Sequence, residues 1–290
     1  MKKLHYLNFI LVLLITYLLP QIAFSEANIV KPYVTINYQP SISNFRNFNI
    51  KETDFDTKGT LGVHINTRNI SVHELQKTPH NFISSHNKHY QHYDNDLSAF
   101  TTSIGASLKN LRIELEGAYK TFDVSDLVQH VIKDAHRLFA IPRELIFHDM
   151  LAFNDPSIPK YSTGHTILKN NGLTIISNMI NLCYEKKRNN LTPYICFGIG
   201  GDFIEIFDTM KIKAAYQGKI GISYSITPNT TLLISGQYHK VIGNQFKDLP
   251  TIQIFELKRL PNRQPEYDVT ALLTLDIEYF SSEVGLSFTF

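Results

Sequence analysis

The stretch AAYQGKIGISYSI changes character at every residue. Tyr216, Ile220, Ile222, Tyr224 and Ile226 fall on one face of an extended chain, and Gln217, Lys219, Ser223 and Ser225 on the other. Successive side chains of a strand point to opposite sides, so such a segment needs one apolar and one polar environment. The pattern recurs. Val34, Ile36 and Tyr38 share a face, as do Phe100, Thr102, Ile104, Ala106 and Leu108; Leu111, Ile113, Leu115 and Tyr119 alternate with Arg112, Glu114, Glu116 and Lys120. The chain even ends on it: in VGLSFTF, Val284, Leu286, Phe288 and Phe290 line up on one side, where a soluble domain leaves its last residues polar and frayed. The fold class is therefore all-β. Alternation does not say which face points inward, since a soluble sandwich and a membrane barrel share it.

The other end of the chain supplies the context, with a soluble secreted β-domain left as the least favoured reading. Residues 1–25, MKKLHYLNFILVLLITYLLPQIAFS, carry Lys2 and Lys3, an apolar core from about Phe9 to Leu19, helix-breaking Pro20, and small Ala23 and Ser25 at the −3 and −1 positions of a cleavage site. This is the pattern of a secretory signal peptide, with a core shorter than the ~20 residues of a spanning helix. The organisation expected is residues 1–25 as signal peptide and 26–290 as one outer-membrane β-barrel domain. Lys2 and Lys3 leave with the leader, so 26 basic side chains face 26 acidic ones; nucleic acid, which wants a basic excess, is excluded as a partner.

Link lengths orient the barrel. Strands are predicted at 30–39, 98–108, 111–121, 172–184, 193–203, 213–226, 230–240 and 270–290. Short links (Lys109-Asn110, 185–192, 227–229) alternate with long ones (40–97, 122–171, 241–269), and 204–211 is intermediate. An outer-membrane barrel keeps short turns in the periplasm, long loops outside, and an even strand count. Evenness requires residues 280–282 to be a bulge inside one long last strand rather than a turn. The apolar phase agrees: Leu273, Leu275, Ile277 and Tyr279 are odd, Val284 to Phe290 even, and a bulge adds one residue. An antiparallel transmembrane barrel of eight strands is favoured, with TLGVHINT (60–67) as a strand-like piece of the first loop. A barrel of ten or more strands, with that piece spanning, is the alternative. Val284, Leu286, Phe288 and Phe290 then face lipid, and the terminal aromatic resembles the signal read by the barrel-insertion machinery. Tyr184, Tyr194 and Tyr224 are placed as a periplasmic aromatic girdle.

PYVTINYQPSISNF, RIELEGAYKTFDV, TPYICFGIGGDFIEIFD, AYQGKIGISYSITPN and HKVIGNQFKDLPTI resemble the major surface-antigen family of ehrlichial and anaplasmal bacteria, in one order along nearly the whole mature chain. The resemblance implies an antigenic outer-membrane β-barrel exposed at the cell surface. It also implies porin activity reported for some members, a proposed adhesion to host-cell receptors, and variable regions corresponding to 68–96, 123–170 and 244–268.

Candidate sites follow from the facing. The lumen is predicted to be lined by Arg112, Glu114, Glu116, Lys120, Lys213, Gln217, Lys219, Gln237, His239, Asp276 and Glu278. These form either the charged wall of a pore for small hydrophilic solutes or a salt-bridged interior that closes the barrel, since eight strands leave room only for side chains. A homo-oligomer stays open as a partner state. The register that pairs Leu182 with Phe197 and Tyr184 with Ile195 sets Cys183 opposite Cys196, bonded or as two free thiols. His80, His86, His89 and His92 read as a solvated polar loop rather than a metal site, because no fixed acid or cysteine completes it. In SDLVQHVIKDAHRLFAI, Leu127, Val131, Ala135 and Leu138 recur at helical spacing behind a capping Ser125 or Asp123, predicting a loop helix over about 126–140. No G-x-S-x-G, phosphate loop, H-E-x-x-H or C-x-x-C is present, so no enzyme, cofactor or metal is expected.

Overall fold

A computed structural model describes residues 30–53, 60–63, 82–83, 91–127, 129–142, 165–186, 190–255 and 269–290. The signal-peptide reading, His80, His86 and His89 lie outside the described residues. Eight antiparallel strands close into a barrel: β1 Lys31–Tyr38, β2 Phe100–Leu108, β3 Leu111–Phe122, β4 Leu173–Glu185, β5 Leu191–Ile206, β6 Thr209–Thr227, β7 Thr230–Val241 and β8 Glu278–Thr289. Each pairs with its sequence neighbour, and β8 returns to β1 from Tyr33↔Thr289 to Tyr38↔Val284. Closure removes every unpaired edge, as a lipid environment demands of strands.

The facing is inside out. Ile36, Ile113, Leu115, Ile180, Phe197, Ile199, Ile220, Val284 and Phe288 are exposed on the outer wall, whereas Thr35, Glu116, Asn181, Lys219 and Glu283 are buried within. Aromatic rings mark one rim of the outer band, with Tyr38 beside Phe100 and Tyr238 between Tyr216 and Phe280. Exposed Tyr184, Tyr224, Phe288 and Phe290 mark the other. Tyr194 does not belong to that girdle. It sits on the inward face of β5, 6% exposed, where it covers a buried guanidinium.

The bulge at 280–282 is absent. β7 and β8 pair without a shift from Thr230↔Phe288 to Lys240↔Glu278. Odd residues of this segment point inward throughout, and what changes is the medium inside. Ser281 and Glu283 lie in a polar layer, whereas Leu273, Leu275, Ile277 and Tyr279 enter an apolar core at the loop end. Thr270–Asp276 has left the barrel to pair with Gln245–Pro250 and Arg46–Glu52 in a three-stranded sheet. Leu61–Val63 joins Phe82–Ile83 and Leu138–Pro142 in a second small sheet that includes His165–Lys169 and Gln253–Phe255, so it does not span.

The two small sheets and the tops of the barrel strands share this core. Ile50, Phe246, Leu249 and Leu273 come from the first, Phe139, Ile141 and Leu168 from the second, and Phe122, Ile175, Ile204 and Val241 from the barrel. The β5–β6 hairpin also reaches into it. Its turn is only Phe207-Asp208, with φ of 50° and 56°, the left-handed pair that suits a two-residue hairpin. That conformation is uncommon for phenylalanine; here the ring is held in the core. The long loops thus fold into a cap over the barrel mouth.

No α-helix forms among the described residues of 126–140. Gln129 and Asp134 have φ of 54° and 65°, and only Ala135–Arg137 makes a single 3-10 turn. Leu127 and Val131 are exposed, while Leu138, Phe139, Ala140 and Ile141 are all fully buried. Four consecutive apolar residues suit a strand covered on both faces. Leu138 and Ala140 pack with Ile167 in one cluster, and Phe139 and Ile141 with Leu168 in the other.

Asp126 instead organises a turn. Its carboxylate accepts the His130 backbone N–H at 3.0 Å, bonds the His130 ring at 2.7 Å and lies 3.6 Å from His136 Nδ1. Burial acts to raise the Asp126 pKa, but the His130 hydrogen bonds and the two histidine charges outweigh it and hold the carboxyl below its usual value. A carboxylate depressed on folding stabilises the fold above its unfolded pKa, about 3.9, and that contribution is lost as pH falls through the lower folded value. Hydrogen-exchange protection of 126–137 is therefore expected to hold at about pH 5 and to drop in a window below about pH 4. Asp126→Asn should remove that window, and an unchanged window in the variant would assign it to another group.

Candidate functional site

The barrel interior is built in layers, each from residues that alternation aims inward. At the turn end, Arg112 of β3 is ion-paired with Glu114 at 2.8 Å and donates a hydrogen bond to Glu185 at 2.5 Å. Its guanidinium is stacked between Tyr33 and Tyr194, 5.6 and 4.8 Å from the ring centres, and Tyr33 donates to Glu114 at 2.9 Å. The Tyr33 ring fits because position 105 is glycine; a Cβ there would collide with it. Cys183 and Cys196 face each other in the β4–β5 register and are joined, S–S 2.02 Å, with both sulfurs within 3.9 Å of the Arg112 Nη2. Glu114 and these sulfurs are the one group of metal-ligating types converging among the described residues. With both sulfurs in the bond, no thiolate is left to bind an ion.

The middle layer centres on Lys219 of β6. Its ammonium is paired with Glu116 and lies 2.9 Å from Glu283. Glu116 also accepts from Asn181 at 3.0 Å and Gln217 at 3.2 Å. Glu283 accepts from Ser235 at 2.6 Å and Gln39 at 2.5 Å. Gln39 bridges to Gln237 and to Lys120, whose ammonium reaches Ser41 at 2.8 Å. Charged groups this deep are tolerated only when paired and hydrogen-bonded. Above them His239 Nε2 meets Asp202 at 2.8 Å, both side chains fully buried, and the imidazole stacks on Tyr279 at 4.6 Å. Tyr279 begins the apolar core of the cap.

Of the predicted lumen residues, Arg112, Glu114, Glu116, Lys120, Gln217, Lys219, Gln237 and His239 sit together inside. Lys213, Asp276 and Glu278 do not. Lys213 lies on the part of β6 that runs past the rim, where it donates to the Gln245 carbonyl at 2.7 Å. Asp276 belongs to the upper sheet and accepts from Asn47 at 2.5 Å. Glu278 is on the outer face, covered by Asn44, Arg46 and Tyr238 at 2.5–2.8 Å and by Lys240 at 3.5 Å. The expected bulge put the last two inside; in the structure Asp276 has left the barrel for the upper sheet, and a regular β8 puts Glu278 outside. Tyr33, Gln39, Asn181, Glu185, Asp202 and Glu283 complete the interior network and were absent from the predicted set. The inward positions of β8 include Tyr279, Ser281, Glu283 and Ser287, so plain alternation through the last strand finds Glu283 opposite Ser235. His92 offers its backbone carbonyl to Ser125 at 2.8 Å.

The sequence profile of the surface antigen family matches residues 25–290. The chain belongs to the surface antigen family. Major surface antigen 4 of Anaplasma marginale is 31% identical over 220 residues, which span 75% of this chain and 72% of that protein. Among solved structures, Neisserial surface protein A superposes with a TM-score of 0.40 at 8% identity, covering 89% of this chain and 97% of that one. Ail, the attachment invasion locus protein of Yersinia pestis, gives 0.32 at 10% identity, covering 90% and 99%. The outer membrane protease OmpT of Escherichia coli gives 0.36 at 10% identity, covering 93% and 99%. A surface antigen with a lipid-facing barrel is an outer-membrane protein, and the cap built from its long links stands at the cell surface.

Proposed function

We propose that this surface antigen is a closed barrel, a non-enzymatic anchor that holds a folded cap toward host cells. The observation that carries this reading is the filled cross-section. Lys219, Glu116, Glu283, Gln39 and Lys120 interlock across the lumen, and every one of these side chains is 5% exposed or less. The apolar core then lies over the mouth. Eight strands enclose a space that side chains can fill. The Asp202–His239 pair supports the non-enzymatic reading, since no substrate reaches a pair at 0% exposure beneath that core. Outer-membrane lipid and the insertion machinery are the partners of the barrel, the latter through the Val284, Leu286, Phe288 and Phe290 face. A host receptor is the partner of the cap.

Single-channel recording of the refolded mature chain in a planar bilayer tests the reading. A barrel shown folded by heat-modifiable gel mobility is expected to give no steady openings. Discrete, reproducible openings would overturn the closed barrel and favour a pore for small hydrophilic solutes, with an oligomer or a rearranged interior as the conducting unit.

A further inference from the structure

Lys211, Lys213 and Lys247 converge on one notch at the cell-surface end of the barrel. It forms where two paired strands part. β6 and β7 stay together up to Ala215↔Val241, and Ile242 still donates to the Ala214 carbonyl at 2.7 Å. Gly243, at φ +83°, then turns the chain away, a conformation that glycine adopts freely. The chain continues as Gln245–Pro250, paired with Thr270–Asp276, while β6 runs on beside β5 as far as Thr209. Between the diverging segments lies a pocket of about 340 Å³, with Lys211, Ile212 and Lys213 on one wall and Gln245, Phe246 and Lys247 on the other.

No carboxylate lines this pocket. Lys213 is positioned by the Gln245 carbonyl and by the Phe246 ring, 5.0 Å below its ammonium. The charges of Lys211 and Lys247 repel that of Lys213. None of the three takes part in an ion pair among the described residues. Arg112 and Lys219 inside the barrel, by contrast, are each paired with carboxylates. Three uncompensated ammonium groups around one pocket are the electrostatic requirement of an anion.

The level of the notch identifies the source. Lys213 and Lys211 lie three and five residues beyond Tyr216 of the aromatic rim, or roughly 10 and 16 Å along the strand. On the opposite face of the same strand, Met210 and Ile212 are exposed at 54% and 70%. This segment presents apolar side chains outward and ammonium groups into the notch at the height of the head groups, the arrangement by which basic pockets bind lipid head groups. We infer that the notch is a phosphate-binding site and that it takes the head-group phosphate of an anionic lipid in the outer leaflet.

Titration of the refolded mature chain in neutral micelles, read by native mass spectrometry, tests this with three probes: phosphatidic acid, phosphatidylcholine and inorganic phosphate. Phosphatidic acid is expected to bind in preference to phosphatidylcholine. Lys247→Met should weaken it about fivefold and the variant with all three lysines as Met about 100-fold, with heat-modifiable mobility retained. Binding of inorganic phosphate as well would support the phosphate site. Inorganic phosphate alone would overturn the lipid assignment. Equal binding by parent and Lys247→Met, or no binding of any probe, would overturn the site; Lys247 is exposed, so its variant reports on binding rather than folding.

Discussion

Lys219→Met is expected to destabilise the barrel by about 3–5 kcal/mol, the usual cost of removing one partner from a buried ion pair. Methionine keeps most of the unbranched aliphatic stem and removes the ammonium that donates to both carboxylates. Glu116 and Glu283 are then left as two carboxylates in a space where each is less than 5% exposed. Their neutral donors, Asn181 and Gln217 for one and Ser235 and Gln39 for the other, stay in place but do not neutralise them. The magnitude distinguishes the two readings of the lumen. In a water-filled channel the same ion pair would be worth no more than about 1 kcal/mol, and the substitution would alter ion selectivity instead. Urea unfolding of the refolded chain, with midpoints compared at equal slope, measures the difference. Adding Glu116→Gln and Glu283→Gln should restore most of the loss, because replacing a whole buried charge cluster is often near neutral. A loss under 1 kcal/mol would mean that water reaches these carboxylates and would sink the closed interior.

The parts legible in the sequence were those governed by alternation between two unlike media. Ile113, Leu115, Ile220 and Phe197 face outward, and Arg112, Glu116 and Lys219 inward, because lipid against a polar interior is the strongest contrast the chain meets. Link-length parity found eight strands because the three links read as short in the sequence all fall at the periplasmic end, although the β5–β6 hairpin also closes tightly at the cap end, through Phe207-Asp208. Legibility failed where the contrast reversed. At Leu273 to Tyr279 the apolar residues lie on the inward face, and the period alone could not distinguish a flipped strand from an interior that turns apolar. The same ambiguity misplaced Asp276 and Glu278. In the loop at 126–140 the i, i+4 spacing of Leu127, Val131, Ala135 and Leu138 fitted a helix, yet the unbroken run LFAI that follows was the stronger signal. Four buried residues in succession need partners on both sides, supplied here by Ile167 and Leu168 from a strand 30 residues on. No local pattern announces a pairing at that distance.

Phe139→Ala tests whether the cap is a folding unit distinct from the barrel. The ring is fully buried and packs edge-on against Phe48 at 6.0 Å and Phe207 at 5.9 Å, so it ties the small sheets to the tip of the β5–β6 hairpin. Removing a buried phenylalanine costs about 3–5 kcal/mol through lost transfer energy and the cavity left behind. That loss falls on the strand Leu138–Pro142, which pairs with Leu61–Val63 and His165–Lys169 and with no barrel strand. Local opening draws on local stability, so trypsin should cut the variant faster at Arg137 and Lys169, which flank this strand pair, while the barrel keeps its heat-modifiable mobility. Leu115→Ala is the control. It removes a side chain exposed on the outer wall, creates no cavity, and should leave the cap as resistant as the parent. The bilayer should also stay silent with Phe139→Ala, because the Lys219 layer still fills the lumen beneath an opened cap. Unchanged cleavage would mean that the cap does not depend on this ring. Loss of barrel mobility together with faster cleavage would show cap and barrel unfolding as one cooperative structure.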